Sequence, residues 1–300
     1  MGRSAIMGYL QLMRLPNLPT AAADVLAGGA IAGVSLQLDG PFNLPDLAPA
    51  LFGLILASVF LYAGGVVLND VFDADVDARE RPERPIPRGA VSRSRAAFFG
   101  GGLLLLGVVA ASMVRMESGY IAAMLAAAIL LYDSYAKSSD FLGPLVMGVC
   151  RGFNLWLGIS ILPIAGAGSY LWVPVVYIFA VTTISRGEVY GGNKKALILA
   201  ALMYVIAIFG VGILVGAETT RFWFSLPFLA LLALMVFHPL WRAYQINQPA
   251  EIRGAVKGGV LGIVALDAAW AAGYGGLWVA LIILALLPLS RLLAARFAVT

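Results

Sequence analysis

Apolar runs of about twenty residues recur from one end of this chain to the other, and no water-soluble fold can bury them all. A helix needs about 20 mostly apolar residues to cross ~30 Å of hydrocarbon. Runs of that kind fall at 18–37, 47–69, 92–114, 118–136, 140–163, 170–188, 196–216, 222–241, 256–272 and 275–293. A membrane β-barrel would need ten-residue strands of alternating polarity instead, and these runs are apolar on every side. Only 12% of the chain is charged and 61% is hydrophobic, against about 25% charged in a soluble domain. Too little polar side chain is left to cover a water-facing surface, and disorder is excluded on the same ground. The expectation is an all-α, polytopic integral membrane bundle of nine to ten helices. No linker or shift in composition divides the chain, so residues 1–300 read as a single domain. The weakest boundary is Gly273-Tyr274-Gly275-Gly276, which separates the final two runs as a turn, a kink or a re-entrant segment.

A net charge of +4 and a pI near 9.3 could suggest a nucleic-acid partner. The charges argue against one, because they punctuate apolar runs and build no basic domain. Taking the N-terminus and every second loop as one side, that side holds all of the 20 basic residues except Arg115, Arg151 and Arg221. The positive-inside rule makes it cytoplasmic, with both termini there. A bacterial-type inner or plasma membrane fits this pattern. Arg3 and Arg14 before the first run resemble a signal peptide, but Asp24 interrupts the run, which reads as a retained first span. The lone cysteine, Cys150, supports neither an internal disulfide nor a zinc site.

Acidic residues gather where the second run ends, in Asn69-Asp70-Val71-Phe72-Asp73-Ala74-Asp75-Val76-Asp77. On a continuing helix Asp70, Asp73 and Asp77 share one face and Asp75 points away. Three carboxylates that close repel one another unless a cation neutralises them. Hard oxygen ligands suit Mg2+, usually held by one or two carboxylates with substrate phosphates completing its shell. An EF-hand is excluded: counted from Asp73, Ala78 stands where the turn needs glycine and Arg84 where calcium needs glutamate. An acidic loop in water is the plain alternative, but the cluster abuts an apolar run and faces arginines. Downstream lies Arg79-Glu80-Arg81-Pro82-Glu83-Arg84-Pro85-Ile86-Pro87-Arg88-Gly89. Arginine presents a planar fork to phosphate oxygens, and three prolines stiffen the loop. Together these segments point to a diphosphate site at the mouth of an apolar bundle.

The spacing Asn69-Asp-x-x-Asp73-x-x-x-Asp77 followed by Arg81-Pro-x-Arg84-Pro-Ile-x-x-Gly89 resembles the first aspartate-rich signature of the UbiA superfamily of intramembrane prenyltransferases. Arg14-Leu15-Pro16-Asn17 resembles the start of that family's first helix, which implies that Asn17 lies in the active cavity. The stretch from Tyr132 to Lys137 resembles its Tyr…Lys element, which implies that Lys137 assists diphosphate binding. The family carries a second aspartate-rich motif after its sixth helix. Here the matching place reads Ser185-Arg186-Gly187-Glu188, so one carboxylate remains, as in the EboC-like branch found in secondary-metabolite clusters. The family is described with nine helices, so a tenth would be a second departure.

The resemblance implies Mg2+-dependent transfer of an isoprenoid chain from a polyprenyl diphosphate to a small lipophilic or aromatic acceptor in the bilayer. Asp70, Asp73, Asp77 and Glu188 are the expected metal ligands and catalytic carboxylates. Asn17, Asn69, Arg81, Arg84, Arg88, Tyr132, Lys137 and Arg186 are the expected substrate contacts. Arg151 and Asn154, three residues apart inside the fifth run, could reach the phosphates or the acceptor, since an intramembrane charge is costly and faces a cavity or a partner. Asn17 and Asp24 share a face of the first helix, and Asp267 reads as a structural hydrogen-bonding group. A carrier that binds a prenylated or aromatic metabolite without turnover is the competing function, supported by the thin second motif.

Overall fold

The computed structural model describes residues 3–35, 44–164, 166–187 and 194–297. Its helices are α1 (Arg3–Leu12), α2 (Leu18–Ile31), α3 (Leu44–Phe72), α4 (Ala74–Glu80), α5 (Arg93–Val114), α6 (Met116–Ser134), α7 (Leu142–Ile159), α8 (Gly168–Ser185), α9 (Lys194–Glu218), α10 (Phe222–Ile246), α11 (Pro249–Tyr274), α12 (Leu277–Leu284) and α13 (Leu286–Phe297). Among the described residues, 9 spans are long and apolar enough to cross a membrane, from Leu47–Phe72 in α3 to Leu277–Arg296, which joins α12 and α13.

Nine of the ten apolar runs correspond to these spans. The first differs. Helix α2 has 14 residues, about 21 Å at 1.5 Å per residue, and residues 36 and 37 of the expected run lie outside the described ones. Nearly all of α2 is buried. It reads as apolar on every side because it is walled in by protein, so periodicity alone could not set its length. The last boundary is a tight turn, with α11 ending at Tyr274 and α12 starting at Leu277.

Two large apolar clusters make up most of the core. One gathers α8 to α12, the other α3, α5 and α6, and both include residues of α2 and α7. These two helices touch through glycine. A Cβ added at Gly28 would lie 2.3 Å from the Leu155 carbonyl oxygen, and one at Gly158 would lie 2.3 Å from that of Val25. Only bare backbone permits this crossing. One turn toward the start of each helix, the crossing sets Asp24 of α2 against Arg151 and Asn154 of α7.

Candidate diphosphate site and cavity

A cavity of about 380 Å³ opens between the two clusters, bounded by α2, α3, α6, α7, α8 and α11. Arg14, Asn17, Asn69, Tyr132, Asp133 and Ser185 ring its mouth. The walls beyond are largely apolar, as a hydrocarbon tail requires.

The acidic cluster lies at this mouth. Helix α3 ends at Phe72 and α4 begins at Ala74, yet backbone bonds from Asp73 N to Asn69 O (2.9 Å) and Asp77 N to Asp73 O (2.8 Å) carry the helical spacing through. Asp70 and Asp77 therefore stand side by side: Arg84 donates to both, at 3.3 and 2.6 Å. Arg14 donates to the same Oδ1 of Asp70 at 2.7 Å. Asp73 pairs with Lys137, whose ammonium also sits over the Phe72 ring, 5.8 Å from its centroid. Asp75 points outward, 81% exposed, and meets Arg93 at the surface.

The local chain explains these placements. Arg14 has φ 48 and ψ 54, a left-handed conformation costing roughly 1–2 kcal/mol in a non-glycine residue. The 3-10 turn Leu15–Asn17, with Pro16 inside it, follows directly, and Arg14 turns back onto Asp70. Strain of this kind collects at functional sites. The arginine loop is a series of tight turns, with bonds from Arg84 N to Arg81 O and from Arg88 N to Arg84 O, both 3.1 Å. Gly89 ends it at φ 77, where a side chain would be strained. Pro85 is buried beneath the loop, and Ile86 packs against the cluster of Leu12, Val67, Val91 and Ala96. Arg84 is thereby aimed inward.

The remaining expected residues divide. Asn17, Asn69 and Tyr132 line the cavity. Arg81 and Arg88 are exposed, and Arg88 donates to Gln11 at 2.5 Å. Arg186 does not reach the aspartates. It pairs with Asp140 and donates to the carbonyls of Ser139 and Lys137, because the end of α8 lies beside the loop after α6. Arg151 and Asn154 line the cavity but engage Asp24, not the mouth. Glu188 lies outside the described residues. Asp133, which sequence reasoning passed over, accepts from Asn69 Nδ2 at 2.9 Å, while its Oδ2 is buried without a hydrogen-bond partner. Its signal was an acidic residue at the end of an apolar run, between Tyr132 and Lys137.

The mouth suits Mg2+ in donor chemistry. Carboxylates supply hard oxygens, and the cation pairs engage one oxygen of each, Oδ1 of Asp70, Oδ1 of Asp73 and Oδ2 of Asp77. The expected ligand set is not gathered, however: among the described residues no three Asp, Glu, His or Cys side chains are disposed to hold an ion together. Arg84 pairs with Asp70 and Asp77, and Lys137 pairs with Asp73. One or two carboxylates completed by substrate oxygens match the usual Mg2+ shell.

The described residues thus form a helical membrane bundle with carboxylates and cations at the mouth of a largely apolar cavity. The model of the UbiA prenyltransferase family matches residues 26–186, and the chain belongs to that family. It is 33% identical over 189 residues to digeranylgeranylglyceryl phosphate synthase of Methanosarcina mazei, covering 62% of this chain and 64% of that protein. Against the enzyme of the same name from Methanococcoides burtonii it is 35% identical over 159 residues, covering 53% and 56%. The chain thus spans less than two thirds of the length of these curated relatives. Among solved structures, a UbiA homolog from Archaeoglobus fulgidus bound to GPP and Mg2+ matches with a TM-score of 0.65 and 17% identity, over 87% of this chain and 99% of that one. The apo UbiA homolog from Aeropyrum pernix matches with a TM-score of 0.66 and 17% identity, over 84% and 96%.

Proposed function

We propose that this protein is a Mg2+-dependent intramembrane prenyltransferase that moves an isoprenoid chain from a prenyl diphosphate to a small lipophilic acceptor. The observation that carries this reading is the mouth itself, where carboxylates and cations already paired with one another open onto an apolar cavity. The relatives' names and the neighbour holding GPP and Mg2+ support the same reading.

Arg14, Arg84 and Lys137 are the groups that would turn from carboxylate to diphosphate when the substrate enters. An arginine gives up one charge-assisted partner for another at little cost, and the aspartates it releases become free to hold metal. Mg2+, held by Asp70 and Asp73 with help from Asp77 and Glu188, would neutralise charge on the departing diphosphate. The C–O bond to the allylic carbon breaks with its electron pair leaving on the diphosphate. Asn17, Asn69 and Tyr132 hold the ester in line, Arg81, Arg88 and Arg186 add positive potential at the rim, and the apolar walls keep water from the cation. The acceptor forms the new bond to that carbon and releases a proton. An aromatic ring is electron-rich enough to be that acceptor.

We further propose that the mouth faces the cytoplasm, since residues 79–95 carry the densest basic cluster. A cysteine replacing Ala90 in a Cys150→Ser background should react only with membrane-permeant reagents in intact cells. The function is tested with purified protein, radiolabelled prenyl diphosphates, Mg2+ and a panel of acceptors. Product formation is the expected result, and magnesium-dependent binding without product under every acceptor would favour the carrier.

A further inference from the structure

The cavity has a second polar surface, deep inside. Arg151 lies about 14 Å along α7 from Leu142 at 1.5 Å per residue, near the middle of a ~30 Å hydrocarbon layer. Together with Asn154, Thr20 and Ser58 it forms the cavity floor, and all four residues are buried. An isoprenoid tail needs none of these groups, and an arginine at that depth is expensive.

The hydrogen bonds leave specific valences open. Arg151 Nε lies 2.7 Å from Asp24 as an ion pair without hydrogen-bond geometry, one terminal nitrogen donates to Thr20 O at 2.5 Å, and the other reaches Thr20 Oγ1 at 3.4 Å. A guanidinium has five N–H donors, so these three contacts leave terminal N–H groups for something else in the cavity. Asn154 Nδ2 commits to Ala21 O at 3.0 Å and Asp24 Oδ2 at 2.7 Å. Ser58 Oγ donates to Asn154 Oδ1 at 2.7 Å, which leaves its lone pairs to accept. The floor therefore offers a donor beside an acceptor.

Its charge is already balanced. Asp24 neutralises Arg151, and Asp267 from α11 lies against Asp24. One cation and two carboxylates have no positive charge to spare, and even with one carboxyl protonated the group is neutral.

We propose that this floor binds the head group of the acceptor, and that it takes an uncharged hydroxyl or carbonyl head in preference to a carboxylate or phosphate. The inference rests on the prenyl-transfer reading of the mouth. It would set the chain apart from relatives named for a glyceryl phosphate.

The test is equilibrium binding to the full chain in lipid nanodiscs, using two matched pairs of radiolabelled probes. One pair is 1-O-geranylgeranylglycerol and its 3-phosphate; the other is 4-hydroxybenzyl alcohol and 4-hydroxybenzoate. In each pair the neutral member should bind about tenfold or more tighter, since a buried anion without a counter-charge is strongly disfavoured. Ser58→Ala removes one hydroxyl and should weaken the neutral probes about fivefold without moving the dissociation constant for geranyl diphosphate with Mg2+. Asp24→Asn frees the arginine and should shift the preference toward the anionic members, and Ser58→Ala carries the test if that variant fails to fold. Equal or tighter binding of the anion in either pair, no binding of either member, or no effect of Ser58→Ala overturns the inference. Magnesium-dependent geranyl diphosphate binding in the same preparation keeps the two readings apart: if it persists the mouth stands and the floor alone fails, and if it is absent the prenyl-transfer reading itself fails.

Discussion

The two ends of the cavity hold similar residues in opposite states. At the mouth, Arg84 straddles Asp70 and Asp77 while Lys137 holds Asp73. These pairs sit at the cavity mouth, on a stiff loop and helix ends, with Asp73 and Lys137 partly exposed and Asp70 and Asp77 buried beneath Arg84, where, on the proposed reading, an anionic ligand exchanges them. At the floor, Arg151 and Asp24 are buried between helices that touch through Gly28 and Gly158. Exchange there would strand a charge in hydrocarbon, which costs several kcal/mol. On the two proposals, ion pairing in one membrane protein serves two purposes: pairs at the mouth are a reserve for the substrate's charge, and pairs at the floor are a fixed recognition surface.

The largest expected effect comes from breaking the mouth at Asp73. Asp73→Ala should lower turnover by about 10²–10³-fold with the protein still folded, because a partly exposed ligand is lost and no core contact is. Asp75→Ala should stay within about twofold, since its surface pair with Arg93 contributes little. Initial rates of radiolabelled prenyl transfer compare the two, and equal losses would dissolve the distinction between the inward and outward carboxylates.

Arg84→Ala comes next. It removes one cation from both Asp70 and Asp77 and should weaken prenyl diphosphate binding by roughly 10–100-fold, the range for charge-assisted bonds of ~1.5–3 kcal/mol. Thermal unfolding should show an added loss of stability, because Asp77 is left buried without its partner. Binding of neutral acceptor probes at the floor should not change.

The smallest effect belongs to the second motif. Ser185 lines the cavity, so Ser185→Asp adds a carboxylate to its wall and should lower the magnesium midpoint for diphosphate binding by about two- to fivefold. Glu188→Gln should raise it by a similar factor, since one carboxylate leaves most of a metal shell to water and substrate oxygens. A magnesium titration reads both. Midpoints that move in neither variant would leave the first cluster to hold metal alone.

The spans were legible because length and apolarity are one-dimensional properties, read along the chain without knowing what packs on what. The pairings were not. Lys137 lies 64 residues from Asp73 and Arg151 lies 131 from Thr20, and no local spacing joins them. The aspartate spacing did predict that Asp70 and Asp77 share a face, which Arg84 makes visible, and that Asp75 turns away. Repulsion among the aspartates could be anticipated, but not that resident cations would relieve it by pulling Asp73 to a different partner. Arg186 is expected at the diphosphate from its place in a motif, and no spacing announces the partner it has in the structure. The approach of α8 to the loop after α6 pairs it with Asp140.

The most direct test is the binding of radiolabelled geranyl diphosphate to the full chain in nanodiscs as Mg2+ is titrated. Saturable binding that requires Mg2+, collapses in Asp73→Ala and Arg84→Ala, and persists unchanged in Ser58→Ala is the predicted result. Binding that is indifferent to Mg2+, or that survives loss of both mouth residues, would contradict the account.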